Sequence, residues 1–128
     1  MLFPELSGLT DVALLLLRLM IAAVFGSSGW SHMTKPTERA ESIGMSPAFT
    51  LGLGVVELLG AAALLLGLFV QIGAILLMGV MLGAIHRKIF TWKTGFWGRN
   101  NDGWYYDLLY LVCNLVILTT GGGAIGLT

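Results

Sequence analysis

The sequence predicts an all-α membrane protein, a four-helix transmembrane bundle with a polar interior. Three observations carry this reading. The 128 residues are 56% hydrophobic and only 11% charged, where soluble domains carry about 25% charged residues. Four apolar segments qualify as spans, each near the roughly 20 residues that cross about 30 Å of hydrocarbon. Each of them also holds an ionisable residue: Arg18, Glu57, His86 and Asp107. A charge at the bilayer centre costs roughly 2.5–3.5 kcal/mol on insertion scales, so such residues face the bundle interior, pair, or act.

Residues 1–128 read as a single domain by length. The first helix runs from Val12 to about Gly29. Met1 to Asp11 holds no Lys or Arg, and the apolar run exceeds the usual 7–15 residues of a signal sequence, so a retained helix is expected. The second helix covers about Ala48 to Phe69, entered through Ser46-Pro47, where proline suits a first turn. The third follows from Val70 to about Lys88. Almost nothing separates the two, which predicts a tight antiparallel hairpin. The fourth runs from Trp104 to about Thr120 and stops at Gly121-Gly122-Gly123.

Basic residues set the expected topology. Loop one holds Lys35 and Arg39, and loop three holds Arg87, Lys88, Lys93 and Arg99. The N-terminal segment, loop two and the C-terminal tail hold none, so loops one and three are expected to be cytoplasmic, with both termini outside. Trp30, Trp92, Trp97 and Trp104 gather at the same side. They suit an aromatic belt at the headgroups; Trp30, Trp97 and Trp104 could alternatively contact a flat lipophilic ligand. Loop three is aromatic enough to lie flat in the interface.

Several chemistries are excluded. The net charge is zero, which argues against nucleic acid. A single cysteine, Cys113, allows no intrachain disulfide and no cysteine metal cluster. His32, His86, Asp107 and Glu57 lack ligand spacing, so no metal is expected. Ser28, His86 and Asp107 would make a hydrolase triad on paper, yet no nucleophile elbow accompanies them.

Helical spacing assigns faces. Arg18, Ala22, Phe25 and Gly29 share one face of the first helix, and Gly54, Glu57, Ala61 and Leu64 one face of the second. Gly79, Gly83 and His86 align on the third helix, and Asp107, Tyr110, Asn114 and Leu118 on the fourth. Membrane helices approach along small residues, so these faces are expected inward. At about 1.5 Å of rise per residue, Glu57 and Asn114 fall near the midplane with Arg18 somewhat outward. Two polar layers follow: Arg18 paired with Glu57 or bridged to it through Asn114, and His86 with Asp107. Either layer serves helix registry or a ligand or proton path.

The run Leu17-Arg18-Leu19 with Phe25 and Gly29 resembles the opening helix of the DoxX family of small bacterial membrane proteins. Gly54-Val55-Val56-Glu57-Leu58-Leu59-Gly60, closing with Leu65-Leu66-Gly67-Leu68-Phe69, is similar to that family's second helix, and Gly103-Trp104-Tyr105-Tyr106-Asp107-Leu108-Leu109-Tyr110 to the start of its fourth. Many relatives carry His-Gly after the first-helix phenylalanine and a lysine soon after; here Ser28-Gly29 and His32 stand in those places. The resemblance implies a four-helix bundle in the bacterial inner membrane, in contact with membrane lipid. It also implies a small subunit or partner in quinone-linked redox chemistry, because the family takes its name from a subunit associated with thiosulfate:quinone oxidoreductase. Quinone is the implied cofactor. Four helices of this length enclose little volume, and Gly79-x-x-x-Gly83 offers a further close-packing face, so a homo-oligomer or a larger membrane complex is expected. A non-catalytic anchor or assembly subunit, and a small transporter of a neutral lipophile, are the alternatives.

Overall fold

The computed structural model describes residues 2–38, 46–91, 93, 95–96 and 103–126. Those residues hold helices and turns and no strand. A single 3-10 stretch, Pro4–Leu9, leads into α1 (Thr10–Thr34); α2 (Pro47–Leu66) and α3 (Val70–His86) follow, and α4 is Tyr105–Thr120. A π-helical turn, Arg87–Thr91, extends α3. The first three helices are long and apolar enough to cross a membrane. The fourth is a shorter apolar helix of 16 residues, or about 24 Å at 1.5 Å per residue.

Local chemistry explains the ends. Ser46 caps α2 by accepting a hydrogen bond from the Phe49 N–H at 3.1 Å, with Pro47 in the first turn. Gly67, at φ +67°, ends the helix in the left-handed conformation while Leu68 N–H reaches back to the Ala63 carbonyl at 3.1 Å. That pairing closes a helix without a Cβ penalty and stops α2 short of Phe69. α1 instead runs past Gly29 to Thr34. Nothing in Trp30-Ser31-His32-Met33 breaks a helix, and the brake is Pro36, which disfavours helical backbone at the residue before it. The extra turn carries His32 into the bundle.

α1 packs on α2, α2 on α3 and α3 on α4, while α1 and α4 touch only lightly. Ile21, Leu64, Leu77 and Ile117 fill the centre. Lipid removes the hydrophobic drive between helices, so close packing must hold them together. Two glycine contacts provide it. A Cβ on Gly29 would stand 2.8 Å from the Gly54 carbonyl oxygen, and one on Gly60 2.8 Å from Leu77 and 3.3 Å from the Gly73 carbonyl oxygen.

The third helix corrects an expectation. Gly79, Gly83 and His86 are exposed, and a Cβ at either glycine would meet nothing within 4 Å. The buried face is Val70, Gly73, Ala74, Leu77 and Met81. α3 is apolar all round and offers two small-residue faces. The tight turn after Gly67 decides which one meets α2.

Candidate functional site: a buried histidine–glutamate pair

The second helix presents Thr50, Gly54, Glu57, Ala61 and Leu64 along one buried stripe. The first presents Arg18, Ala22, Phe25, Gly29 and His32. Where these stripes cross at Gly29 and Gly54, the absence of side chains brings His32 and Glu57 together. His32 Nδ1 lies 3.4 Å from Glu57 Oε1, and both side chains are at most 5% exposed. The same nitrogen lies 2.8 Å from the Ser28 carbonyl oxygen and 3.3 Å from Ser28 Oγ. A carbonyl can only accept, so Nδ1 carries a proton and Nε2 is left as the ring's other nitrogen, open to a further partner. The pair is a protonatable group held by backbone inside an apolar span.

Asn114 lies on the buried face of α4, one turn beyond Tyr110. Its Nδ2 donates to the Tyr110 carbonyl at 2.8 Å. Its Oδ1 is buried and has no hydrogen-bond partner among the described residues. A buried, unsatisfied amide oxygen costs about 1–3 kcal/mol, so it marks a place where a donor is wanted. Between α1 and α4 the Phe25 and Tyr110 rings meet edge to face at 5.9 Å, and Tyr106 packs on Tyr110 at 4.7 Å.

Arg18 and Glu57, expected to pair, do not. Gly29 stands opposite Gly54 and Gly26 opposite Ala61, so Arg18 is level with the end of α2, roughly 12–18 Å along the helices from Glu57. Depth counted from each helix's apolar run missed this because α1 extends further past Gly29 than composition showed. Arg18 instead donates a long 3.4 Å hydrogen bond to the Gly122 carbonyl.

His86 and Asp107 are also separate. His86 is exposed and packs on Phe90 at 5.0 Å. Asp107, buried in the first turn of α4, takes Lys88 Nζ at 2.8 Å. Lys88 Nζ also lies 3.5 Å from the Gly103 carbonyl oxygen and 5.9 Å from the Tyr106 ring centroid. The π-helical turn after His86 sets the direction of Lys88, and i, i+3 spacing could not foresee it. This pair ties α3 to α4 and helps hold the site's walls.

The aromatic ligand contacts divide. Trp30 is exposed, Trp104 is half-buried against Phe96 at 4.6 Å, and Trp97 and Trp92 lie outside the described residues. Among the described residues no group of three metal-ligating side chains forms. The expected end of the first helix at about Gly29 excludes His32, which the longer helix buries. The signal was present: it follows Phe25 by seven residues and Gly29 by three, on the face already assigned inward.

A family model described as DoxX matches residues 13–92, more than half of the chain. No curated protein and no solved structure matches it significantly.

Proposed function

The chain belongs to the DoxX family, and on that premise we propose that it is a small membrane subunit in quinone-linked redox chemistry. The observation that carries this is the His32–Glu57 pair, two ionisable side chains buried within helices long and apolar enough to cross a membrane. Ionisable residues at such depth mark proton or ligand paths. Reducing a quinone to a quinol takes up two electrons, which a partner protein would supply, and two protons. In this reading His32 Nε2 and Glu57 hold and hand on the protons, Ser28 fixes the imidazole, and Asn114 Oδ1 accepts a hydrogen bond from the quinol hydroxyl. Arg18, Lys88 and Asp107 keep the helices in place around it. The thin contact between α1 and α4 is the side from which a flat lipophile would enter.

Membrane purification in mild detergent, with mass spectrometry of attached proteins and lipid extraction, tests this. A co-purifying oxidoreductase and a quinone retained by the wild type and lost from Asn114→Leu are expected. A chain that carries neither would leave the second reading, a non-catalytic anchor. The exposed Gly79-Gly83 stripe of α3 favours a further helix contact in either case, within a homo-oligomer or a larger complex.

The orientation proposed with this function has loops one and three in the cytoplasm, from the bias of basic residues. In a Cys113→Ala background, an impermeant thiol reagent applied to intact cells should label Ile125→Cys and spare Lys93→Cys. Both positions are exposed. The reverse pattern would turn the molecule over and leave the fold as it is.

A further inference from the structure

At the opposite end of the bundle from the His32–Glu57 pair, Arg18 presents a separate problem in charge. It is 1% exposed. An arginine stays protonated inside a protein, so burial cannot neutralise it. Among the described residues no carboxylate lies within ion-pair reach of it. Asp11 Oδ1 instead accepts from the Ala124 N–H at 2.9 Å, and Glu57 is paired with His32. The guanidinium's Nε is buried without a hydrogen-bond partner, and its 3.4 Å bond to Gly122 is long for a charged donor.

What covers it is backbone almost without side chains. A Cβ on Gly67 would stand 3.1 Å from Arg18 Nη1, and one on Gly122 3.0 Å from its Cδ. Gly121, Gly122 and Gly123 all adopt positive φ, 74°, 81° and 89°, and so form a strap across the helix ends. Beyond them Gly126 packs on Gly67, and Ala124, Ile125 and Gly126 are exposed. The strap's outer part faces solvent or headgroups and its inner part touches the cation.

We propose that Arg18 anchors an oxyanion-binding site under this glycine strap, taking a phosphate group, either from an anionic phospholipid or as the free ion. Planar, multidentate N–H donors suit a phosphate better than any single carbonyl does. The bound oxyanion takes the place of the Gly122 carbonyl and supplies the counter-charge that the described protein residues withhold.

The test uses the full chain in nanodiscs of phosphatidylcholine. Thermal unfolding is followed with inorganic phosphate added, and separately with phosphatidylglycerol in the bilayer. A Tm rise of roughly 4 °C or more is expected in at least one arm. A rise with phosphatidylglycerol alone identifies the lipid headgroup, and a rise with phosphate identifies the free ion. Arg18→Gln should abolish it, and Arg18→Lys, which keeps the charge but not the fork, should reduce it. No rise in either arm, or an equal rise in the variants, overturns the site. Should Arg18→Gln fail to fold, Arg18→Lys and native mass spectrometry of the wild type decide: a retained phosphatidylglycerol or phosphate adduct weakened in the lysine variant supports the site, and a bare chain overturns it.

Discussion

Gly54→Val is expected to force α1 away from α2 and to cost about 3 kcal/mol of stability, the upper part of the usual overpacking range. The first added carbon would already meet the Gly29 carbonyl oxygen at 2.8 Å, His32 Cβ at 2.9 Å and Met33 Cγ at 2.9 Å. The obstructing oxygen is backbone and cannot rotate away. Separating the helices also pulls His32 from Glu57, so packing and polar contact fail together. Gly52→Val is the control, since a Cβ there meets nothing within 4 Å. An exposed change of that kind should stay within about 0.5 kcal/mol. Unfolding of both variants in the same detergent checks this. Equal losses would mean that glycine is needed for some reason other than the crossing.

The second large effect is a coupling. Removing one member of a buried charged pair typically costs about 3–5 kcal/mol, because the other is left in low dielectric. His32→Leu and Glu57→Leu should each be severe, and the double change should recover at least about 1 kcal/mol of the summed loss. The matching cycle between Arg18→Leu and Glu57→Leu should be additive within about 0.5 kcal/mol, since the register sets those residues well apart. A large Arg18–Glu57 coupling with none for His32 would reverse the assignment made from the geometry. The same double variant separates the two roles of the pair. Recovered stability with quinone-linked turnover still absent is the outcome expected of a proton-exchanging group, whereas recovery of both would leave only registry.

Much of the bundle was legible in the chain. Hydropathy marked the helices because the bilayer demands long apolar runs whose backbone is bonded internally. Spacing alone placed Arg18, Ala22, Phe25 and Gly29 on a buried face of α1, and Gly54, Glu57, Ala61 and Leu64 on that of α2. An isolated polar residue in an apolar helix fixes which side must turn inward, and two helices carried such markers near their centres.

The partners were decided by tertiary structure. Which level of one helix meets which level of the next depends on a crossing point, and Gly29 against Gly54 is one of several small-residue matches the sequence permits. That single register joins Glu57 to His32 and leaves Arg18 to the glycine strap. α3 shows the same limit. With apolar residues on every side its sequence did not say whether Gly73 or Gly79 and Gly83 would pack, and the short turn at Gly67 chose Gly73. Composition fixes what a helix can bury in a membrane; the faces that meet are chosen by connections and close backbone approach, which act between segments and leave no period in any one of them.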